Sequence, residues 1–255
     1  METSDLSHHI LSRFNADLEG LRSAVLQMGG LVEQQLQDGV KAVYSGDSRL
    51  GDEVARLDYR VNALEVAIDE DCSRILATRN PTASDLRLIV TVIKTITDLE
   101  RIGDEAEKLG HIAARLAGLD RPADRYREIK HLGDLVGEMV HGALDAFARL
   151  DTEAALAVAR RDRIVDDEYE AIQRQCISFM IEDPRSIRRA LDVLWVSRAL
   201  ERIGDHAKNI CEYVVYLVMG KDIRHRSIAD VERALAEARA SRSGPAVTAT
   251  GPVDR

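Results

Sequence analysis

Apolar residues recur every three or four positions along most of the chain, a spacing that keeps one face of an α-helix hydrophobic. The first segment with this spacing contains Phe14, Leu18, Leu21, Val25, Met28 and Val32. Comparable segments follow, separated by short polar connections such as "SGD" at 45–47, "RNPTAS" at 79–84 and "LDRPAD" at 119–124. The pattern predicts long helices joined by short connections and no strands.

Three helices are predicted in each half of the chain. In the first half, one helix ends at about Ser45, with Asp47 as a plausible cap for the next. The second and third then cover about 48–78 and 83–116. In the second half, the first helix ends near Leu150. A second helix follows Asp151 and ends before Pro184, and a third runs from about 186 to 219.

The two halves repeat one another. With an offset of 104 residues, ten of the 31 positions in 42–72 are identical to those in 146–176. Beyond the next connection the offset becomes 101, and "LERIGD" at 99–104 matches "LERIGD" at 200–205. Internal repeats of this kind indicate duplicated structural units. We therefore predict an all-α fold of two tandem three-helix bundles, at 7–118 and 124–222, with a short helix and disordered tail over 227–255.

Composition and charge narrow the classes of function. The chain has a net charge of −9, which argues against binding to nucleic acid. No secretory signal and no apolar stretch of membrane-spanning length are visible, so we expect a cytoplasmic protein without direct membrane insertion. Cys72, Cys176 and Cys211 lack metal-site spacing and are expected to be reduced core residues.

Each third helix carries two carboxylates four residues apart, Glu100 with Asp104 and Glu201 with Asp205. Residues at this spacing share one face of a helix, where like charges repel one another. They could simply be solvated or paired with neighbouring arginines. A cation bound between them is the functional alternative.

The second helix of each repeat favours a bound cation over carboxylates that are merely solvated. Asp58 and Asp162 occupy positions of the apolar face, where an unpaired carboxylate is costly. Four residues further on lie Asn62 and Asp166. Because oxygen clusters on facing helices suit hard cations and iron, the sequence predicts an acidic metal patch in each repeat. The second repeat, with four carboxylates, is predicted to be the stronger site.

A glycine lies within each acidic motif, at Gly103 and Gly204. Glycine inside a helix costs about 1 kcal/mol relative to alanine, so a structural reason for it is expected. The missing side chain could leave room beside the carboxylates, or it could allow close helix packing.

Several motifs together resemble the PhoU family of phosphate-uptake regulators over residues 7–226. They are "PTASDLRLIV", the doubled "ERIGD", "MIEDPRSI" and "HAKNICEYVVYLVMGKDIRH". The resemblance implies tandem three-helix bundles in a cytoplasmic, dimeric protein that is not an enzyme. It implies an adaptor between the ATP-binding subunit of a phosphate ABC transporter and a phosphate-sensing histidine kinase, which it restrains when phosphate is plentiful.

The resemblance also implies metal ions on E/D-x-x-x-D motifs. The candidate ions are iron, manganese and magnesium, and the sequence does not distinguish among them. The corresponding residues here are Asp58, Asn62, Glu100, Asp104, Asp162, Asp166, Glu201 and Asp205.

Two alternatives stay open at this point. A carboxylate-bridged metalloenzyme would use Glu-x-x-His spacing, but Glu100 and Glu201 are each followed at that spacing by glycine. No nucleophile motif appears, and no catalytic residue is predicted. A metal-free helical scaffold with solvated acidic faces is the other alternative.

Overall fold

The computed structural model describes residues 3–118, 126–223, 230, 231 and 233, with side chains from residue 14 onward. All regular structure in this part of the chain is helical, as predicted. The α-helices are α1 (Thr3–Ser45), α2 (Ser48–Arg79), α3 (Ala83–Leu116), α4 (Arg127–Arg149), α5 (Thr152–Ala159), α6 (Asp162–Glu182) and α7 (Ile187–Met219). A single 3₁₀ turn at Pro184–Ser186 joins α6 to α7.

Aspartates cap the N-termini of two helices at equivalent places in the repeats. The Asp47 carboxylate accepts a hydrogen bond from the Leu50 backbone N–H at 3.0 Å and caps α2. The Asp151 carboxylate accepts from the backbone N–H groups of Glu153 and Ala154, both at 3.0 Å, and caps α5. The cap predicted at Asp47 is confirmed, and Asp151 has the same role.

The prediction of one continuous second helix in the second repeat is wrong. The helix is interrupted at Arg160 and Arg161, which separate α5 from α6. There the backbone N–H of Arg161 donates to Val158 at 2.9 Å, and that of Ile164 donates to Arg161 at 2.8 Å. Each bond joins a residue to the one three positions earlier, as in a 3₁₀-helix, instead of four positions earlier as in an α-helix. Such bonds tighten the backbone and change the direction of a helix.

A glycine contact distinguishes the first repeat from the second. A Cβ built on Gly51 of α2 would lie 2.6 Å from the carbonyl oxygen of Gly110 on α3, so the two backbones touch. The repeat offsets place Ala155 and Cys211 at these positions in the second repeat. The second repeat therefore lacks the glycine pair that brings α2 and α3 into backbone contact.

The residues up to Asp222 form one compact unit. In it α1, α2 and α3 pack together, as do α4 to α7, and the halves meet through α3 against α7 and α1 against α4. Fully buried apolar side chains such as Met28, Leu99 and Phe147 fill the interior. The domain limits stay predictions, because the linker 119–124 and most of the tail 227–255 lie outside the described residues.

The three cysteines are buried free thiols, as expected. Burial raises the pKa of Cys72 and of Cys211 to about 12, and that of Cys176 to about 11. These side chains are therefore uncharged parts of the packed interior.

Among the described helices, none combines the length and the apolar character that crossing a membrane would require.

Candidate metal centre

Three carboxylates meet between α2 and α3 of the first repeat. One oxygen each from Asp58, Asp104 and Glu107 lies within 4.8 Å of the others. Asp58 is buried, with 5% of its surface exposed. Asp58 and Asp104 were predicted as ligands from the sequence, whereas Glu107 lies one turn beyond the acidic motif and was not. The three residues are named here the acidic triad.

Two amide side chains adjoin the acidic triad. Gln35 of α1 donates from Nε2 to Oδ1 of Asp58 at 3.2 Å, and Asn62 donates from Nδ2 to Oδ2 of Asp58 at 2.9 Å. Gln35 Oε1 and Asn62 Oδ1 are both buried, and within the described residues neither has a hydrogen-bond partner. Because an unpaired buried oxygen is costly, a cation or a hydrogen-bond donor at this place would stabilise both acceptors.

Gly103 makes room for the buried aspartate. A Cβ at this position would lie 3.0 Å from Asp58 Oδ1 and 3.5 Å from Gln35 Oε1. In the second repeat, a Cβ on Gly204 would meet the Val165 side chain at 3.3 Å. Both glycines therefore make room for a valine, since Val61 lies 3.3 Å from the Cβ position of Gly103, and Gly103 makes room for a carboxylate as well.

The carboxylates of the first repeat are held in an environment that disfavours their charge. The pKa of Asp104 is raised by burial and then by the charge of Asp58. The pKa of Glu100 is raised by burial and then by Asp104, and that of Glu65 by burial and then by Asp69. A bound cation would reverse these shifts by neutralising the cluster.

A lysine occupies the equivalent region of the second repeat. Lys208 of α7 donates a hydrogen bond from Nζ to Oδ2 of the buried Asp162. Burial works against charging Lys208, but the hydrogen bond to Asp162 and the charge of Asp162 outweigh it, and the pKa of Lys208 is raised. Arg198 also donates to Oε1 of Glu201 at 2.6 Å. Lys208 and Arg198 thus pair with two of the four carboxylates of this patch, while Glu201 Oε2 is buried and has no hydrogen-bond partner among the described residues.

The other carboxylates predicted in the second repeat lie near one another. Burial raises the pKa of Asp166, Glu201 and Asp205, and neighbouring carboxylates raise each of them further. Among the described residues of this repeat, no three acidic, histidine or cysteine side chains come as close together as the acidic triad does. The compact group lies in the first repeat, although the sequence favoured the second with its four carboxylates.

The signal for this asymmetry is present in the sequence. The offset of 101 that superposes the two "LERIGD" segments places Glu107 opposite Lys208, and the offset of 104 places Gln35 opposite Met139. The structure supports this alignment, because the Met139 sulfur lies 3.9 Å from the Cβ position of Gly204. A comparison restricted to the identical residues of the repeats does not detect these two differences.

A buried polar contact joins the two repeats beside these clusters. His206 of α7 places Nδ1 2.6 Å from Oδ1 of Asp98 on α3, and both residues are buried. Asn209 donates to the same oxygen at 3.2 Å. Nearby, Arg202 lies 3.1 Å from Glu105, again between α7 and α3. Sequence reasoning missed these pairs, which fix the register of one repeat against the other.

An open groove of about 460 Å³ runs between α3 and α7. Its walls include the basic side chains of Lys108, Arg115, Arg198 and Arg202, and Glu105 is the one carboxylate in the described lining. Trp195 forms part of the rim and is 62% exposed. Each of these basic groups is paired with a carboxylate of the chain, and the exposed ring of Trp195 lies beside them.

The family model described as "PhoU domain" matches the chain twice, at residues 25–113 and 129–214. A phosphate-specific transport system accessory protein PhoU homolog of Pseudomonas putida is 52% identical over 223 residues, which cover 88% of this chain and 87% of that one. The corresponding accessory protein of Escherichia coli K12 is 45% identical over 240 residues, covering 92% and 98%.

Two crystal structures show the same fold. PhoU from Pseudomonas aeruginosa superposes with a TM-score of 0.80 at 51% identity, covering 82% of this chain and all of that one. The phosphate transport system regulatory protein PhoU from Streptococcus pneumoniae superposes with a TM-score of 0.76 at 28% identity, covering 82% and 98%. Both comparisons extend over nearly the whole length of the solved chains.

Proposed function

The chain belongs to the PhoU family, and from this we propose that it is an accessory regulator of phosphate transport. In this proposal it restrains phosphate uptake and the phosphate-starvation response when phosphate is plentiful. The observation that carries the proposal is the match of the family model to both repeats, together with relatives named as accessory proteins over almost their full length.

Within this role we propose an adaptor that binds the ATP-binding subunit of the phosphate ABC transporter and the phosphate-sensing histidine kinase. The groove beside Trp195 supports a docking function, because it is open and carries an exposed aromatic ring at its rim. Its four basic side chains are each paired with a carboxylate of this chain. An exposed tryptophan is also a frequent anchor in protein interfaces. The proposal places the chain in the cytoplasm, where the ATP-binding subunit works, and keeps the homodimer as a prediction.

We further propose that the first repeat binds a divalent cation, with manganese, magnesium and iron as the candidates. Asp58, Asp104 and Glu107 would hold the ion, and the amide oxygens of Gln35 and Asn62 would complete an all-oxygen set. The two unpartnered amide oxygens are the observation that fits a cation rather than a merely solvated patch. The ion would supply positive charge to a cluster whose burial raises its carboxylate pKa values.

The proposal assigns the chain no catalytic residue. The relatives are named accessory proteins, and the Glu-x-x-His spacing of carboxylate-bridged enzymes is missing from both acidic motifs. The nearest histidine of the second repeat, His206, is engaged with Asp98. Oxygen consumption by the iron-loaded protein would contradict this part of the proposal.

The regulatory role is tested in a strain of the source organism that lacks this chain. A reporter driven by a phosphate-starvation promoter is expected to be fully active in phosphate-rich medium, and the wild-type chain should restore repression. Normal repression in the deletion strain would overturn the proposal.

The docking groove is tested in the same strain. Trp195→Ala should fail to restore repression although the protein accumulates normally. Tyr59→Ala, which removes an exposed aromatic residue from α2, is the matched control and should repress fully. Full repression by the Trp195 variant would show that the groove is dispensable.

A further inference from the structure

We infer that Lys208 is a built-in cation of the second repeat, and that the chain binds divalent ions through its first repeat alone. This inference rests on the proposed metal binding by the acidic triad. It assigns different roles to two sites that the repeat would otherwise make identical.

The two sites share a contact between a glycine and a valine at equivalent positions. Gly103 and Gly204 occupy equivalent positions, and a Cβ on either would meet the equivalent valine, Val61 or Val165, at the same 3.3 Å. The buried aspartates of the two second helices, Asp58 and Asp162, correspond as well. The glycine–valine contact is thus the same in both repeats, although only in the second repeat does a helix break, at Arg160–Arg161, directly precede the buried aspartate.

Two side chains that surround the buried aspartate change character between the repeats. Glu107 completes the acidic triad in the first repeat, and its counterpart Lys208 bonds the buried aspartate in the second. Gln35 places an unpartnered amide oxygen beside the first aspartate, whereas its counterpart Met139 presents a thioether. An oxygen donor set for a hard cation is thus replaced by one ammonium and one soft sulfur.

Lys208 also excludes a metal ion physically. Its ammonium group bonds the carboxylate oxygen that a divalent ion would need, and the side chain is half-buried. Displacing it would leave a lysine without its partner next to a second positive charge, which is costly in a partly buried site. Arg198, bonded to Glu201, adds a further positive charge to the same patch.

The two repeats therefore differ in how they respond to a metal ion. Metal loading or removal acts on α2 and α3 of the first repeat, whereas in the second repeat Lys208 and Arg198 offset part of the negative charge in either condition. The duplicated fold can then respond to a cation in one half while the other half remains constant. This asymmetry is a property of Glu107 and Lys208 that the shared acidic motif does not reveal.

The test is isothermal titration of the full-length protein, first stripped with chelator, with manganese chloride. Wild type should bind manganese, and Lys208→Glu should roughly double the manganese bound per chain by restoring a carboxylate ligand. Lys208→Gln, which removes the ammonium without adding a charge, is the second variant and should also gain binding. Lys221→Glu changes an exposed lysine outside both clusters and should match wild type.

The location of the bound ions is tested by two asparagine variants. As a single substitution in the wild-type protein, Asp104→Asn should abolish manganese binding, and Asp205→Asn should leave it unchanged. In the Lys208→Glu background, Asp205→Asn should remove only the added binding. Thermal unfolding followed by circular dichroism identifies variants that fold.

The outcomes separate the inference from the proposal beneath it. Equal manganese binding by wild type and by both folded Lys208 variants would overturn the inference. A loss of wild-type binding in Asp205→Asn would also overturn it, while the proposed metal role would stand. If wild type bound no manganese but Lys208→Glu did, the role of Lys208 would be upheld and metal binding by the first repeat would fail.

Discussion

The imidazole of His206 lies 2.6 Å from the carboxylate of Asp98, although 108 positions separate the two residues. Asp98 is 2% exposed and His206 is 8% exposed, so water solvates neither group well. This contact ties α7 of the second repeat to α3 of the first. A buried carboxylate that loses its partner costs more than the bond itself contributed.

His206→Ala should therefore lower the free energy of unfolding by about 1–3 kcal/mol. Asn209 alone would then remain on Asp98 Oδ1. Urea denaturation measures the loss, and His131→Ala, which removes an exposed histidine, should change stability little. The double variant with Asp98→Ala and His206→Ala should lose less unfolding free energy than the sum of the losses in the two single variants. Strictly additive losses would show that the two groups do not interact.

The backbone contact between Gly51 and Gly110 gives a second prediction. Gly51→Ala would place a methyl group 2.6 Å from the Gly110 carbonyl oxygen, so α2 and α3 must separate. We expect a loss of about 2 kcal/mol or more in unfolding free energy, comparable to overpacking in a core. Gly30→Ala is the matched control on α1, because no atom lies within 4 Å of its Cβ position. That substitution should stabilise the protein by about 0.5–1 kcal/mol through helix propensity, and equal effects of the two would contradict the contact.

The pKa of Asp104, raised by burial and by Asp58, predicts how metal-free stability depends on pH. A carboxyl group whose folded pKa is raised contributes stability at low pH that is lost as pH rises through that pKa. Near pH 7 the ionised Asp104 should therefore destabilise the metal-free protein, and Asp104→Asn should be more stable by roughly 0.5 kcal/mol. The advantage should shrink towards about pH 4, where the unfolded chain also becomes protonated.

Urea denaturation in the presence of chelator tests this prediction at neutral and acidic pH. Asp134→Asn, which changes an exposed aspartate on α4, is the control and should show no such gain. An Asp104 variant that is less stable than wild type at neutral pH would contradict the unfavourable charge cluster.

Trp195 is the one tryptophan in the sequence, so its fluorescence reports on the groove directly. Binding of the purified ATP-binding subunit or of the kinase's cytoplasmic part should shift its emission to shorter wavelength as water leaves the ring. Binding detected by another method with unchanged emission would place the interface elsewhere.

Helix periodicity predicted most of the fold because it depends on neighbours three and four residues apart. The end of α3 at Leu116 and the cap at Asp47 were both read in this way. The break at Arg160–Arg161 was not, because it consists of a local change in backbone hydrogen bonding that the spacing of apolar residues does not report.

Only part of the candidate site could be predicted from the sequence, for a related reason. Asp58 and Asp104 were identified because one interrupts an apolar face and the other belongs to a repeated motif. Glu107 has neither property, and it joins the site only because α2 packs against α3 in a particular register. The exclusion of a cation by Lys208 likewise depends on a contact between α6 and α7 that spacing along one helix does not report.

Anomalous X-ray diffraction from manganese-soaked crystals tests the central claim most directly, because it locates bound ions without reference to affinity. We predict an anomalous peak within coordinating distance, about 2.2 Å, of the oxygens of Asp58, Asp104 and Glu107. We predict none beside Asp162, where Lys208 should remain bonded. A peak at Asp162 with Lys208 displaced, or a bare acidic triad in fully soaked crystals, would contradict the account.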